Sequence, residues 1–354
     1  KVILRRICMK IGGMFELEKC NDKQTIDDPN AIYAMSGRCA LYACIEDIGN
    51  IANKVAYVPA YTCETVLGSY LKAGYSLKFH DIDPDNLTPI FKEEDLDGVG
   101  VLGLCGYFGF IRYDEEFVKK AHERGIIVLH DTTHSPYYVD PNADYGAGSL
   151  RKWMGIAAGG VAVKKAGPFN IKLKPVEEEH IKGRYQSFEL RSEALRTNDD
   201  SFNKKASETF WKNELRLREI FDAYSSDEKS IYIAKHFDYE SMKNKRCEHF
   251  ETIIKNLKEP KGFKPVFTEL RAHDVPSHFP IYAEKREEMQ AFLRERGIST
   301  TVYWPLPPML DDVNKYDGAK YIYDHIAAIQ LDQRYDNETM KYLADVLNEY
   351  SELN

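Results

Sequence analysis

Short apolar runs alternate with amphipathic stretches over the first half of the chain. The runs KVAYVPA, SLKFHDI, GVGVLGLCG and GIIVLHD predict β-strands. Between them, SGRCALYACIEDI, TCETVLGSYLKAG and DEEFVKKAHERG carry apolar residues at helical spacing, with Ser36 and Asp114 as N-caps. Apolar strands separated by helices are typical of a mostly parallel sheet that is covered by helices on both faces. The pattern therefore predicts an α/β architecture.

The pattern changes near residue 170. From about 170 to 260 the segments are long, charged and helical, as in SETFWKNELRLREIFDAY, and helices with solvated faces are the simplest interpretation. After Pro260, SHFPIYA, KREEMQAFLRERG and STTVYW predict a strand–helix–strand unit, and NETMKYLADVLNEY predicts a final helix. We place a domain boundary near residue 235. This gives a large domain over 1–235, including the N-terminal segment, and a small α+β domain over 236–354.

Composition narrows the class of protein. The chain has 354 residues, which suggests two domains, and its net charge is −8, so it has no basic excess for nucleic acid or an anionic membrane. Its longest apolar run, residues 99–111, is too short to span a membrane, which takes about 20 residues. The seven cysteines include no CxxC pair, which favours reduced thiols and a cytoplasmic protein. We expect small-molecule substrates and no nucleic-acid or membrane partner.

Polar residues follow the last apolar strand. Asp131 ends GIIVLHD, His134 follows it, and Lys152 stands in GSLRKWMGIAAGGVAV between Ser149 and the pair Gly159-Gly160. Ligands of open α/β sheets gather at the carboxyl ends of the strands. Pyridoxal 5'-phosphate needs a lysine amine for its aldehyde and a carboxylate to keep its ring nitrogen protonated. It also needs backbone N–H groups for its phosphate, and the helix start in SGRCAL offers them. Lys152, Asp131 and this helix start together suit pyridoxal 5'-phosphate.

These segments, in this order, resemble the DegT-type (AHBA synthase-like) sugar aminotransferases over about residues 30–350. SGRCAL resembles the family's Ser-Gly-Thr-x-Ala-Leu, VPAYT its Pro-x-x-Thr, and DIDPDNL its Asp-Ile-Asp-Pro. LHDTTH resembles its strand ending in Asp, and the spacing from Lys152 to Gly159-Gly160 is the family's own. FPIYAEKREEMQAFLRERGISTTVYWPLP resembles its C-terminal strand–helix–strand. The resemblance implies the aspartate-aminotransferase fold (fold type I): a three-layer large domain with a mostly parallel sheet, and a smaller α+β C-terminal domain.

The resemblance also implies roles for individual residues. Lys152 would form the internal aldimine with pyridoxal phosphate and then carry a proton between Cα and C4′. Asp131 would pair with the pyridinium nitrogen, and His134 stands where the family usually has a glutamine near the phenolic oxygen. The backbone amides of Gly37 and Arg38, together with Ser149, would hold the phosphate. The implied reaction moves an amino group from an amino acid, glutamate, to a keto sugar nucleotide, in a homodimer with shared sites.

Three positions depart from the family pattern. Cys63 occupies the place of the aromatic ring that stacks on the cofactor, and Tyr61 or Tyr107 are the candidates to replace that ring. Ala158 replaces the usual glutamate before the glycine pair. The family's Gly-x-Asn-x-Arg element, which reaches a neighbouring subunit's site, is missing, and the corresponding region is RYQSFELRSEALRTNDD.

Two other interpretations stay open. His130, Asp131 and His134 form a partial set of metal ligands, which His80 or Asp81 would complete in a metal-dependent hydrolase. This alternative leaves Lys152 unexplained. A cofactor-binding homologue that has lost catalysis is the other alternative. We interpret the aromatic pair 303–304, before the C-terminal prolines, as packing residues rather than substrate contacts.

Overall fold

An eight-stranded sheet forms the centre of the larger part of the molecule. The computed structural model of the chain describes residues 10–20, 22–135 and 140–354. The sheet is built from β1 (Ala31–Ala34), β2 (Val55–Pro59), β3 (Ser76–Asp83), β4 (Thr88–Ile90), β5 (Val101–Cys105), β6 (Ile127–Asp131), β7 (Tyr145–Ser149) and β8 (Gly160–Lys164). The strand order is β1-β8-β7-β6-β5-β2-β3-β4. The five central strands from β7 to β3 run parallel, and the edges add antiparallel partners.

Helices cover both faces of this sheet. Successive residues of a strand point to opposite sides, and here the side chains on both sides are apolar and pack against helices. On β5, Val101 packs with α1 (Gly37–Ile48) and α2 (Glu64–Lys72), while Leu102 packs with α3 (Glu115–Glu123) on the other face. The predicted caps are present: the Ser36 side chain accepts from the N–H of Cys39, and the Asp114 side chain accepts from two N–H groups of α3. The predicted three-layer, mostly parallel architecture is confirmed.

A second, antiparallel sheet lies in the C-terminal part. It is built from β9 (Phe263–Pro265), β10 (His278–Ala283), β11 (Thr300–Thr301) and β12 (Ile326–Gln330), in the order β11-β12-β10-β9. Its core gathers apolar side chains from the sheet and from the last helices. The helices from residue 178 onwards are α4 (Glu178–Thr197), α5 (Asp200–Ile220), α6 (Glu228–His236), α7 (Tyr239–Asn256), α8 (Arg286–Glu295), α9 (Asp317–His325) and α10 (Asn337–Leu353). The predicted strand STTVYW is wrong beyond Thr301, since the chain leaves the sheet there.

The helices α4 and α5 form an antiparallel hairpin that reaches back to the large sheet's carboxyl edge. Asn198 makes the tight turn between them in the left-handed conformation, and Asp199 caps α5. The charge pattern predicts solvated faces for these helices, but the structure buries part of them: Arg184 and Phe188 on α4 are buried. The hairpin thus brings charged side chains inward.

Two further facts bear on the environment of the chain. Among the described residues no helix has the length and apolar character that a membrane span requires. The six described cysteines are free thiols, and Cys8 lies outside the described residues.

Candidate active site

A single turn of 3₁₀-helix holds Lys152 at the carboxyl end of β7. The strand ends at Ser149 and the turn runs over Leu150–Lys152. Leu150 and Trp153 on either side are buried, and the Trp153 indole donates a 3.1 Å hydrogen bond to the carbonyl of Thr133. The Lys152 ammonium lies 4.9 Å from the centre of the Tyr303 ring and forms no hydrogen bond or ion pair with the described residues. An anchored backbone therefore presents the Lys152 side chain at the end of β7, beside the Tyr303 ring.

Asp131 ends β6, the strand beside β7. Its backbone pairs with Ala147, and the residue is only 8% exposed. The carboxylate accepts a 2.9 Å hydrogen bond from the N–H of Thr133. Burial raises the pKa of Asp131, while the hydrogen bonds with Thr133 and the charge of Lys152 act in the opposite direction. A carboxylate in this position gains from a cationic partner, because a buried charge without one is costly.

Glycines bring the N-terminus of α1 against the ends of β7 and β8. A Cβ on Gly37 would lie 2.8 Å from the Cβ of Ser149, and a Cβ on Gly160 would lie 2.1 Å from the carbonyl oxygen of Ser36. Neither distance is compatible with a side chain. The free N–H groups at this helix start and the Ser149 hydroxyl form a cradle that suits a phosphate.

Two cavities meet at Lys152. The first, which we call the α1 cavity, has a volume of about 310 Å³, and the second, the hairpin cavity, one of about 290 Å³. Both are lined by Arg151, Lys152, Phe210, Trp211 and Tyr303. The α1 cavity is lined in addition by Ser36, Gly37, Arg38, Leu41, Cys63, Thr65, Val66, Asp131, Thr133, Ser149, Glu214, Leu217 and Trp304. A molecule in the α1 cavity and one in the hairpin cavity would therefore both reach the lysine.

The α1 cavity fits the cofactor that the sequence predicts. It is lined by six of the predicted residues, namely Gly37, Arg38, Cys63, Asp131, Ser149 and Lys152. Its donor set matches pyridoxal phosphate group by group: an amine for the aldehyde, a buried carboxylate for the ring nitrogen, and a cradle of N–H and hydroxyl groups for the phosphate. The Arg38 guanidinium lies instead over the ring of Phe221, at 5.0 Å, which leaves the backbone amide of Arg38 as its predicted contribution.

The two remaining predicted residues, Tyr61 and His134, lie behind the cavity wall. Tyr61 is fully buried and stacks on Tyr107, with ring centres 5.4 Å apart. His134 stacks on Trp304 at 5.3 Å and its Nδ1 accepts a 3.3 Å hydrogen bond from the N–H of Phe108. Burial and the charge of Lys152 hold the pKa of His134 well below its usual value, so the ring is neutral. Their predicted contacts with a cofactor stay predictions.

The sequence interpretation missed residues that the fold brings to the cavities. Trp304 lines the α1 cavity and Tyr303 lines both cavities, while both also pack against the C-terminal core. The interpretation of this pair as packing residues rather than substrate contacts stays a prediction. Arg184 and Glu214 come from the hairpin. The sequence signal for Tyr303 and Trp304 was the aromatic pair before proline, whereas no local signal distinguishes Arg184 and Glu214 from solvated helix charges.

The side chains of the metal-site alternative have separate neighbours. The Nδ1 atom of His130 lies 2.7 Å from a carboxylate oxygen of Asp140, whereas His134 contacts Phe108 and Trp304. Among residues 10–20, 22–135 and 140–354, no three His, Cys, Asp or Glu side chains are grouped as metal ligands.

Comparison with known proteins connects this fold to one family. Residues 230–348 match the sequence model of the DegT/DnrJ/EryC1/StrS aminotransferase family. A stretch of 71 residues is 42% identical to a pleiotropic regulatory protein of Geobacillus stearothermophilus; it covers 19% of this chain and 19% of that relative. The match thus spans about a fifth of the relative's length.

Solved structures resemble the chain over nearly its whole length. A putative sugar aminotransferase of Streptococcus pneumoniae in its PMP form superposes with a TM-score of 0.67 at 14% identity, over 97% of this chain and 98% of that one. The aminotransferase PseC of Helicobacter pylori, involved in the biosynthesis of pseudoaminic acid, gives 0.65 at 14% identity, over 98% and 100%. At these identities the likeness establishes the fold. The chain therefore has the fold of sugar aminotransferases, and it resembles the DegT-type family in sequence over residues 230–348, which is part of the range over which the resemblance is predicted.

Proposed function

We propose that this chain is a pyridoxal-phosphate-dependent aminotransferase that moves an amino group from an amino acid to a keto sugar nucleotide. The observation that carries the proposal is the α1 cavity, where Lys152, Asp131 and the cradle of Gly37 and Ser149 face one another. The fold is shared with sugar aminotransferases.

The residues around the α1 cavity would hold the cofactor at three points. Asp131 would accept a hydrogen bond from the protonated ring nitrogen, and its buried position strengthens that ion pair. The Ser149 hydroxyl and the amides of Gly37 and Arg38 would donate to the phosphate. When bound, pyridoxal phosphate supplies an aldehyde for the lysine amine and a ring that accepts electrons from the substrate carbon.

Lys152 is the group placed to move protons. Its amine would take the proton from Cα of the amino-acid donor and then deliver a proton to C4′ of the cofactor. Two buried histidines near Lys152 do not compete as acids. Burial and the charge of Lys152 hold the pKa values of His134 and His278 well below the usual range. The Lys152 ammonium lies over the Tyr303 ring, which lines both cavities.

We propose the substrates, assembly and location from similarity and composition. Proteins of this fold include a putative sugar aminotransferase and an enzyme of pseudoaminic acid biosynthesis, which supports a keto sugar nucleotide as acceptor. Glutamate is the proposed donor, and a homodimer the proposed assembly. The free thiols support a reducing, cytoplasmic compartment. The division into 1–235 and 236–354 is supported by the two separate sheets.

A half-reaction tests this function. The purified protein is loaded with pyridoxal phosphate and mixed with L-glutamate, and 2-oxoglutarate is measured with a coupled dehydrogenase. We expect one equivalent per site, further turnover when a nucleoside-diphosphate keto sugar is added, and loss of both in Lys152→Ala. The control Lys212→Ala changes an exposed lysine of α5 and should keep full activity. A loaded protein that releases no keto acid from any amino acid would instead be a non-catalytic homologue.

A further inference from the structure

Two arginines meet at the wall between the α1 cavity and the hairpin cavity. Arg151 precedes the lysine, and Arg184 comes from α4, with a side chain only 3% exposed. Both hydrogen-bond to the same carboxylate oxygen of Glu214 on α5, Arg184 at 3.3 Å. One carboxylate therefore serves two guanidinium groups.

The hairpin cavity has a marked excess of positive charge. Arg151, Lys152 and Arg184 all line it, and no Asp or Glu is among the described residues on its wall; Glu214 faces the α1 cavity. Burial and the charge of Arg151 lower the pKa of Arg184 to about 9, so it stays largely protonated at neutral pH. Burial would raise the pKa of Glu214, but the two arginines outweigh it and lower that pKa to about 2.

Donor atoms in this wall lack acceptors. The Nε atoms of Arg151 and Arg184 are buried and have no hydrogen-bond partner in the described part of the chain. Buried donors are almost always satisfied in folded proteins. The Nε atoms of Arg38 and Arg191 also lack a partner among the described residues, but only Arg151 and Arg184 line the hairpin cavity beside Lys152. The planar guanidinium fork matches the two oxygens of a carboxylate.

We propose that Arg151 and Arg184 bind a carboxylate of the amino-acid donor in the hairpin cavity, beside Lys152. The inference rests on the proposed function and names its donor subsite. A volume of about 290 Å³ lies at the lower end for ligand pockets and suits a small amino acid better than a nucleotide. The aromatic side chains of Phe188 and Phe210 complete the wall and lower the local dielectric, which strengthens the pairing. An anionic group of the acceptor, its phosphate, is the other source of the same chemistry.

Glutarate, a dicarboxylate with no amine, is the binding probe. Its affinity is measured by calorimetry for the wild-type protein and for Arg184→Gln, Arg184→Lys and Arg196→Gln, with and without pyridoxal phosphate. A hydrogen-bonded charge pair corresponds to about 10- to 100-fold in affinity, so we expect Arg184→Gln to weaken glutarate by at least about 10-fold. Arg184→Lys keeps the charge and should recover part of the loss. Arg196→Gln is the control, because Arg196 lies on the same helix but is exposed and bonded to Glu193, and this variant should bind as the wild type does.

A second probe separates the two sources of the anion. Inorganic phosphate and UDP are titrated into the same proteins. If Arg184→Gln weakens these and leaves glutarate unchanged, the subsite belongs to the acceptor and the donor assignment is overturned. Glutarate binding that is equal in the wild type and in folded Arg184→Gln overturns the inference as well. Circular dichroism and the melting temperature establish that each variant is folded, and Arg151→Gln replaces Arg184→Gln if the latter is not.

Failure of the function and failure of the subsite give different results. If borohydride fixes the cofactor on Lys152 but Arg184→Gln binds glutarate as the wild type does, the proposed function is supported and the donor subsite is refuted. If no cofactor attaches to Lys152 while Arg184→Gln still weakens glutarate binding, the anion site is supported and the aminotransferase proposal is refuted. In the loaded enzyme, Arg184→Gln should also raise the KM for L-glutamate in the half-reaction and leave the KM for the sugar acceptor unchanged.

Discussion

Replacing Gly37 with alanine tests the cradle at the start of α1. The new Cβ would lie 2.8 Å from the Cβ of Ser149 and 3.3 Å from the backbone of Gly148. Carbon atoms in contact are ordinarily about 3.5–4.0 Å apart, so α1 and the end of β7 must separate. Both belong to the packed sheet layer, which leaves little room for this movement.

The expected cost has two parts. Overpacking in a well-packed interior costs about 1–3 kcal/mol of folding free energy. The separation also moves the N–H donors of α1 away from the Ser149 hydroxyl. Losing one charge-assisted hydrogen bond to the phosphate costs about 1.5–3 kcal/mol, which corresponds to about 10- to 100-fold weaker cofactor binding.

The assay pairs Gly37→Ala with Gly68→Ala. Gly68 lies inside α2, where an added Cβ would meet only the Cε of Met309, at 4.0 Å. Alanine there favours the helix by about 0.5–1 kcal/mol. Urea unfolding of the cofactor-free proteins and fluorescence titration with pyridoxal phosphate measure both effects. We expect Gly37→Ala to lower stability and cofactor affinity, and Gly68→Ala to raise stability at unchanged affinity.

The reasoning is refuted if Gly37→Ala binds pyridoxal phosphate as tightly as the wild type while its folding free energy is unchanged. A loss of stability with normal affinity would keep the packing argument and remove the cradle as the phosphate site.

Two further substitutions probe the charged groups. Asp131→Asn should nearly abolish transamination, and it should stabilise the cofactor-free protein at neutral pH. Because the pKa of Asp131 is raised in the folded protein, the wild type loses stability as the pH rises from 3.8 through that pKa. Urea unfolding at pH 4 and 7 measures the difference between the two proteins. Stability of the cofactor-free variant below that of the wild type at pH 7 would contradict this account. Glu214→Gln should destabilise the protein by about 1–3 kcal/mol at pH 7. The pKa of Glu214 is depressed from 4.5 to about 2 in the folded protein. The stability difference between variant and wild type should therefore be present above pH 4.5 and vanish as the pH falls towards 2. A deficit that stays constant down to pH 2 in the urea series would argue against the ion pairs.

Local patterning was sufficient for the centre of the fold. The strands β2, β3, β5 and β6 and the caps of α1 and α3 follow from apolar runs and from residue types that act within a few positions. Lys152 and Asp131 followed from the rule that chemistry gathers at the carboxyl ends of strands, and the structure places both on one cavity wall.

The hairpin's contribution could not be predicted in this way. Arg184 and Glu214 stand among lysines and glutamates with the same helical spacing as a solvated face. Only the tertiary position of α4 and α5 buries one side of the hairpin against the cavities. The short edge strand β1 was missed because its four residues have too little pattern of their own and are defined by pairing with β8.

The central claim is that Lys152 carries the cofactor. The protein is incubated with pyridoxal phosphate, reduced with borohydride, digested and mapped by mass spectrometry, with Lys152→Ala in parallel. The account predicts one pyridoxyl group per chain, on the peptide that contains Lys152, and none at that site in the variant. No adduct, or adducts scattered over exposed lysines such as Lys212, would contradict it.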